Sequence, residues 1–275
     1  MGTLYLVGTP IGNLEDITLR ALRILREVSL IAAEDTRRTR RLLAHYDIHT
    51  PLTSYYEHNK LSKLAVILGA LASGDVALVS EAGMPGLSDP GYELVQAALQ
   101  AGHRVVPVPG PSALVTALVV SGLPTDACLY LGFLPRRAAE RRRLLAEVAA
   151  ERRTLVAFEA PHRLVETLAD IQAALGDRRI AVARELTKAH EEVWRGTVSQ
   201  ALAHYQAQPP RGEITLVIAG ASEAEKAQAR WEAGQVRAAV AALLKEGVPR
   251  REAIRRVARA SGWPRREVYK LVLEE

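Results

Sequence analysis

Short apolar runs alternate with segments of helical spacing from the start of the chain to Val120. The runs at 4–7, 30–34, 76–80 and 105–108 have the length and composition of buried strands. The intervening segments predict helices near 17–28, after Arg37, and at 61–72, 91–101 and up to Val120, with Asn13 or Asp16 capping the first of them. This alternation predicts a mainly parallel sheet with ligand-binding loops at its carboxyl edge.

The same pattern restarts after the segment SGLPTD at 121–126, which is rich in breakers. Strands are expected at LYLGF, TLVAFE, IAVARELT and EITLVIAG, with helices near 137–151, 163–175 and 199–206, and 188–197 is predicted to be a polar segment. Residues 221–234 are predicted to be a linker, followed by amphipathic helices near 235–246, 250–260 and 264–273. The predicted fold class is therefore α/β, with domains at 1–121 and 126–220 and a helical tail at 235–275.

Charge is concentrated in that tail. Residues 235–275 hold ten Lys and Arg against five Glu, which accounts for the whole formal net charge of +5. Two helices separated by a turn at Gly262 give the outline of a helix-turn-helix, so Arg265, Arg266 and Lys270 are candidates for binding nucleic acid. A solvated pair of charged helices gives the same pattern and remains the alternative.

Several classes of protein are disfavoured by composition and motifs. No apolar run is long enough to cross a bilayer and no basic leader precedes the first strand, so we expect a cytoplasmic protein with no membrane partner. The single cysteine, Cys128, cannot form an internal disulfide, and no HExxH or paired-Cys motif offers a metal site. A nucleotide-hydrolase loop ending in Gly-Lys-Ser/Thr is also missing from the sequence.

Three loops rich in Gly and Pro follow predicted strands, at GTPIGN, EAGMPGLSDPG and PGPSA. Such loops offer backbone groups more than charges, which suits a zwitterionic ligand such as an adenosyl amino acid. The two carboxylates of the middle loop, Glu81 and Asp89, are expected to brace it. Strand ends of the second domain would face these loops across a cleft.

Seven strings along residues 3–220 together carry a resemblance: VGTPIGNLEDIT, AEDTRRTRRLL, YYEHN, EAGMPGLSDPG, VPGPSA, FEAPHRL and ARELTKAHEEVWRG. The chain resembles the tetrapyrrole methylase family, in particular those members that methylate ribosomal RNA. The resemblance implies two α/β domains with S-adenosylmethionine folded between them, and a homodimer. It also implies methyl transfer to the ribose 2′-hydroxyl of a cytidine in the decoding region of 16S rRNA, in the small ribosomal subunit.

Matched residue by residue, the resemblance implies cofactor contacts from all three loops and from two strand ends of the second domain. These residues are Pro10, Gly83, Met84, Pro85, Leu87, Ser112, Ala113, Phe158 and Thr215. Methionine at 84 departs from the family pattern, in which threonine usually precedes Pro85, so one hydroxyl contact is not expected here.

Transfer of a methyl group to a ribose hydroxyl needs alignment and a base that removes the proton. Candidates are Glu34, Asp35, Glu57, His58, Glu159, His162, Glu185 and, if it loses its proton, Lys188. We expect Glu34 or His58 to lie nearest the hydroxyl, and Arg37, Arg38 and Arg163 to hold phosphates. Asp35 can instead cap the next helix, Glu34 can pair with Arg37 or Arg38, and His162 can simply pack.

Two rival functions stay open from the sequence. A methylase of the same family could act on a tetrapyrrole or other small molecule, although such an enzyme needs no basic tail. A non-catalytic factor could keep the fold and only bind ribosomal RNA during assembly.

Overall fold

The computed structural model describes residues 2–222 and 231–273. Residues 223–230, in the middle of the predicted linker, lie outside the described residues. No helix in the described ranges is long and apolar enough to cross a membrane.

The first half of the chain forms a parallel sheet of five strands within the described residues, in the order β3-β2-β4-β1-β5. Its elements are β1 (Thr3–Val7), α1 (Leu19–Glu27), β2 (Leu30–Ala33), α2 (Thr36–His45), β3 (Leu52–Ser54), α3 (Lys60–Ser73), β4 (Val76–Val79), α4 (Tyr92–Gln100), β5 (Arg104–Val108) and α5 (Ala113–Val120). Apolar clusters cover both faces of this sheet, as a parallel sheet flanked by helices requires. The predicted parallel sheet is present.

The start of α1 differs from the prediction. Asn13 accepts a hydrogen bond from the Glu15 amide and caps a short 3-10 turn at Leu14–Asp16. The helix itself begins at Leu19, where the Thr18 hydroxyl accepts a hydrogen bond from the Ala21 amide at 3.1 Å. A second capping residue just downstream therefore displaces the predicted cap.

The second half forms a mixed sheet, also of five strands among the described residues, in the order β6-β7-β10-β8-β9. Its elements are β6 (Cys128–Phe133), α6 (Ala138–Glu147), β7 (Thr154–Glu159), α7 (Leu164–Leu175), β8 (Arg179–Arg184), β9 (Glu192–Thr197), α8 (Val198–Ala207) and β10 (Ile214–Ile218). Strand β10 runs antiparallel to both β7 and β8, and β8 and β9 are antiparallel as well.

The prediction of a polar segment at 188–197 is wrong for its second half. Residues Glu192–Thr197 form β9, which pairs with β8 through registers such as Val182 with Trp194. The strand lies at the sheet edge and is only half-buried. Edge strands tolerate charged residues, so the apolar alternation that marks an interior strand is weak here.

Both sheets belong to one compact unit, which comprises residues up to Ala146 together with Arg153–Ala219. One apolar cluster joins them, because Ile11 of the first loop and Ala117 and Leu118 of α5 pack with Val156 and Val217 of the second sheet. The space between the sheets is thus bounded by a common core.

The other unit comprises Glu147–Arg152 and the chain from Gly220 onward. Its described helices are α9 (Ala233–Lys245), α10 (Arg250–Ser261) and α11 (Arg265–Leu273), close to the predicted bounds. Val236, Val240, Ile254, Val257 and Val268 form its small core. Helix α10 ends at Gly262, whose φ of 70° is the left-handed conformation that favours glycine.

Candidate active site between the two sheets

The three Gly- and Pro-rich loops meet at the carboxyl edge of the first sheet. They follow β1, β4 and β5, which are neighbours in the order β4-β1-β5. Thr9 and Gly83 exchange backbone hydrogen bonds of 2.9 and 3.0 Å, which tie the first loop to the second. A Cβ added to Gly8 would lie 2.8 Å from the Gly110 Cα, so the first and third loops touch through glycine backbones.

The second loop has an unusual backbone. Gly83, Gly86 and Ser88 all have positive φ, and Ser88, at 64°, is the one whose side chain makes this conformation costly. The Ser88 hydroxyl lies 2.7 Å from the Tyr130 hydroxyl of β6. A hydrogen bond to the second sheet therefore holds the loop in place beside Asp89.

The second sheet supplies the opposite wall. Thr215 of β10 is paired with Phe158 of β7 on one side and Ala183 of β8 on the other, so the three form one row across the sheet. The Phe158 ring makes edge contacts with Phe133 and Tyr130, at centroid distances of 5.3 and 5.4 Å. This wall is apolar and aromatic, which suits a flat heterocycle such as adenine.

A cavity of about 400 Å³ lies between the loops and this wall. Its volume is within the range of small-molecule sites. The lining residues are Ile11, Glu34, Glu81, Ala82, Gly83, Met84, Leu87, Ser88, Asp89, Ser112, Ala113, Phe133, Phe158, Glu159, Ala160, Pro161, Ala183, Leu186, Gly212, Glu213, Ile214 and Thr215. We call it the apolar cavity.

Three carboxylates from the first half of the chain, those of Glu34, Glu81 and Asp89, line the apolar cavity. Glu34 accepts a hydrogen bond from the Glu81 amide at 3.1 Å, and the Glu81 carboxylate pairs with Arg38 at 2.5 Å. Burial, together with the nearby charges of Glu81 and Asp35, raises the pKa of Glu34. Burial and the charge of Glu34 raise the pKa of Asp89 to about 7.

The two other carboxylates of the cavity are already balanced by cations. Glu159 is buried and accepts hydrogen bonds from Thr167 and from the amide of Ala160, and its ion-pair partner is Arg163. Glu213 pairs with Lys188 at 3.2 Å. Glu34 and Asp89 have no cationic partner among the described residues, so the cavity has unbalanced negative charge.

Most of the predicted cofactor contacts line this cavity: Gly83, Met84, Leu87, Ser112, Ala113, Phe158 and Thr215. Pro85 is buried and lines neither this cavity nor a second one beside it, whereas Pro10 lines only the second. The Met84 sulfur would lie 2.8 Å from a Cβ on Gly8, so this side chain packs on the first loop where the family's threonine would stand.

The candidate bases are placed differently. Glu34 lines the apolar cavity. His58 is exposed and lines neither cavity, and its ring makes an edge contact with the Tyr56 ring at a centroid distance of 6.2 Å. Asp35 caps α2 by accepting hydrogen bonds from the Arg37 and Arg38 amides, and these bonds lower its pKa.

Lys188 does not fit the role of a base. Burial alone lowers its pKa, but hydrogen bonds and charge from Glu185 and Glu213 outweigh burial and raise it. The amine therefore keeps its proton at neutral pH, which contradicts the condition under which it was a candidate.

The residues predicted to bind phosphates also differ in their surroundings. Arg163 is mostly buried, bound to Glu159 and to the carbonyl of Leu134. Arg37 is exposed on α2, and Arg265, Arg266 and Lys270 are exposed on the tail unit, each with no ion pair to a described residue. Arg38 lines the second cavity.

Sequence reasoning gave Asp89 only a bracing role and did not single out Ser88 or Tyr130. The serine in the left-handed conformation and the raised pKa of its neighbour both mark this turn. The available signal was a carboxylate between Ser88 and Pro90 in a loop already assigned to ligand binding.

The second cavity, of about 420 Å³, adjoins the first and shares Ile11, Glu81, Ala82 and Glu213 with it. Its further lining residues are Thr9, Pro10, Gly12, Leu14, Arg38, Thr39, Arg41, Leu42, Ser80 and Lys188. We call it the basic cavity.

Comparison with known proteins identifies the class of protein to which this fold and site belong. The family model of the tetrapyrrole (corrin/porphyrin) methylases matches residues 3–202. The chain therefore belongs to the tetrapyrrole methylase family, and the predicted α/β fold class is confirmed.

Relatives within that family are similar over most or all of the chain. A protein of Halalkalibacterium halodurans named ribosomal RNA small subunit methyltransferase I is 46% identical over all of this chain and 96% of its own length. A Thermotoga maritima protein of the same name is 53% identical over 80% of this chain and 99% of its own. A solved uroporphyrin-III-C-methyltransferase from Thermus thermophilus shares the fold, with a TM-score of 0.56 and 22% identity over 79% of this chain and 94% of that one.

Proposed function

We propose that this protein is an S-adenosylmethionine-dependent methyltransferase of 16S rRNA in the small ribosomal subunit. The proposed target is the ribose 2′-hydroxyl of a cytidine in the decoding region. The observation that carries the proposal is the apolar cavity, where the three loops face an aromatic wall. Two carboxylates that line it form no ion pair with any described residue. The names of the two relatives described above support the rRNA substrate.

The residues of the apolar cavity fit the cofactor. Its adenine and ribose suit the wall of Phe133, Phe158 and Leu87, and its sulfonium and ammonium groups suit the unbalanced charge of Glu34 and Asp89. Gly83 and Ser112 line the same space. When bound there, the cofactor supplies an activated methyl group on a sulfur that leaves as a neutral thioether.

We assign the base to Glu34. A ribose hydroxyl is a weak nucleophile until its proton is removed in the transition state, and a carboxylate with a raised pKa is a better acceptor than an ordinary one. The Glu81 amide donates a hydrogen bond to one Glu34 oxygen, which leaves the other oxygen to accept the proton. The walls of the cavity would orient the cofactor toward the hydroxyl, and such alignment can supply several kcal/mol of the barrier. Of the two bases expected from the sequence, geometry supports Glu34 over His58.

Binding of RNA is the remaining part of the proposal. Arg37 on α2 and Arg265, Arg266 and Lys270 on the tail unit are exposed cations that suit phosphate groups. A homodimer is also proposed, and the exposed side chains of Val115, Val119 and Val120 on α5 supply an apolar surface for a second copy. We place the enzyme in the cytoplasm, with its ribosomal substrate.

Transfer of a labelled methyl group tests this function against its rivals. Purified protein is incubated with labelled S-adenosylmethionine and either small subunits lacking the modification, free 16S rRNA or a uroporphyrinogen. We expect label in the rRNA of at least one ribosomal substrate and none in the tetrapyrrole. Label in the tetrapyrrole alone would establish the small-molecule methylase, and rRNA binding without any transfer would establish the assembly factor.

A further inference from the structure

The basic cavity lies against the cavity assigned to the cofactor and is lined by three cations, Arg38, Arg41 and Lys188. Of the four residues that line both cavities, Glu81 and Glu213 carry carboxylates. Both carboxylates are paired with cations of the basic cavity: Glu81 with Arg38 and Glu213 with Lys188. Lys188 also pairs with Glu185 at 2.9 Å.

Arg41 is the cation of this cavity that remains unpaired. Its side chain lines the cavity and is exposed, and it has neither an ion pair nor a hydrogen bond with the described residues. It stands three residues after Arg38 on α2, so the two guanidinium groups lie on one face of the helix. Arg41 is therefore the cation of the basic cavity that is available to an external anion.

The opposite side of the cavity is fixed by close backbone contacts. A Cβ on Gly12 would lie 2.4 Å from the Lys188 Cγ and 2.9 Å from the Leu186 carbonyl oxygen. The first loop therefore lies directly on the segment that carries Lys188. A ligand in the basic cavity would meet a pre-formed wall on this side and the arginines of α2 on the other.

We propose that the basic cavity binds a phosphodiester group of the RNA next to the target nucleotide, with Arg41 as its principal ligand. This inference rests on the proposed function and adds a substrate site to it. A guanidinium fork matches the geometry of a phosphate and binds it through two hydrogen bonds. The shared wall of Ile11 and Ala82 then places the adjoining ribose between the phosphate and the apolar cavity.

The charge and size of the cavity favour RNA over a tetrapyrrole. A single uncompensated cation matches one phosphodiester charge, whereas a tetrapyrrole carries several carboxylates around a broad ring. A volume of about 420 Å³ suits one nucleotide unit rather than a four-ring macrocycle.

Three variants of the full-length protein test the assignment: Arg41→Ala, Arg41→Lys and Arg40→Ala. Arg40 is the matched control, because it is an exposed arginine of the same helix that lines neither cavity. Steady-state methylation of small subunits gives KM and kcat, and fluorescence anisotropy with a labelled single-stranded ribo-oligonucleotide gives binding without catalysis. Calorimetry measures the affinity for S-adenosylmethionine.

We expect Arg41→Ala to raise KM for the subunit about tenfold with little change in kcat or cofactor affinity. The slope of log affinity against log salt for the oligonucleotide should become shallower by about 1. Arg41→Lys should recover the salt slope but only part of the affinity, since it keeps the charge and loses the fork. Arg40→Ala should stay within about twofold of the wild type for the KM and oligonucleotide affinity.

Equal behaviour of Arg41→Ala and Arg40→Ala in KM and in oligonucleotide binding would overturn the assignment. A loss of cofactor affinity in Arg41→Ala would also overturn it, because the site would then serve the cofactor. If the wild type binds the oligonucleotide but methylates no rRNA, the proposed function fails, and the comparison of binding still decides whether Arg41 holds a phosphate.

Discussion

At the scale of single residues, the apolar cavity is marked by two carboxylates that have no cationic partner in the part of the chain that the structure describes. Glu34 and Asp89 come from different loops, and burial raises the pKa of both carboxyl groups. The charge of Glu34 raises the pKa of Asp89 further. With a pKa of about 7, Asp89 is half protonated at neutral pH. A cationic ligand favours the ionised form, so its binding must displace a proton below that pH.

Cofactor affinity should therefore depend on pH through Asp89. We expect S-adenosylmethionine to bind several-fold more tightly at pH 8 than at pH 6, with proton release on binding near pH 7. Asp89→Asn should bind more weakly at pH 8 and lose most of this dependence. Calorimetry in buffers of different ionisation enthalpy measures both quantities, and a wild-type affinity that is flat from pH 6 to pH 8 would contradict the account.

The Asp89 carboxyl group also affects folding stability, which falls as pH rises, whereas cofactor affinity increases. Because the folded pKa of Asp89 is raised, the folded protein binds more protons than the unfolded chain between about pH 4 and pH 7. The contribution of Asp89 to the free energy of unfolding of the ligand-free protein therefore falls as pH rises from about 4 to 7. Asp89→Asn should be more stable than the wild type at pH 8, by about 1 kcal/mol after allowance for solvent screening.

At the scale of residues, the sequence could predict interactions between neighbours in the chain but not those between distant segments. Capping by Asp35 could be proposed as an alternative to a role as base, because the capping bond reaches only two or three residues along the chain. The pKa of Asp89 depends on burial and on Glu34, which reaches the site from another strand. Such a shift cannot be seen in a string of residues.

At the scale of elements, the site depends on three loops that lie backbone to backbone. The strand order puts β4, β1 and β5 side by side, and the glycines of the first and third loops let them touch. The sequence predicted these loops because Gly and Pro interrupt the apolar runs. It did not predict β9, whose edge position removes the apolar signal, or the antiparallel direction of β10, which depends on long-range pairing.

Substitution of Gly110 tests this arrangement. A Cβ at Gly110 would lie 2.9 Å from the backbone of Gly8, so Gly110→Ala must push the first and third loops apart. We expect cofactor affinity to fall at least tenfold, because Ser112 and Ala113 move with the third loop. Gly69→Ala is the control, since Gly69 is exposed in α3 with open space around it. That change should leave binding intact and add about 0.5–1 kcal/mol of stability.

The loop arrangement would be refuted as the basis of binding if Gly110→Ala, shown to be folded by circular dichroism, bound the cofactor as tightly as the wild type. Loss of binding in both glycine variants would likewise point away from the loop contact.

At the scale of the whole molecule, the chain consists of a unit with both sheets and a separate helical unit with exposed basic residues. The tail helices were predicted to within two residues at each end because their apolar positions are strongly periodic and their core is local. No described residue of the helical unit lines the apolar cavity or the basic cavity. We therefore expect the tail to assist RNA binding without taking part in methyl transfer.

Combined substitution of Arg265, Arg266 and Lys270 by Ala tests the role of the tail. We expect weaker binding to the small subunit and a shallower salt dependence, by about 2 in the slope of log affinity against log salt. Cofactor affinity should be unchanged. A control that removes the exposed Arg20, Arg104 and Arg136 lowers net charge equally outside the tail. Equal losses in the two triple variants would show that net charge, not the tail surface, governs binding.

The position of the transferred methyl group tests the central claim most directly. After reaction at saturating cofactor, rRNA fragments are digested and analysed by mass spectrometry, with the wild type beside Glu34→Gln and Glu57→Gln. Glu57 is exposed and lines neither cavity. We predict 2′-O-methylcytidine in the decoding region from the wild type and Glu57→Gln, and at least a hundredfold slower formation by Glu34→Gln. A methyl group on a base or on another nucleotide, or full activity of Glu34→Gln, would contradict the account.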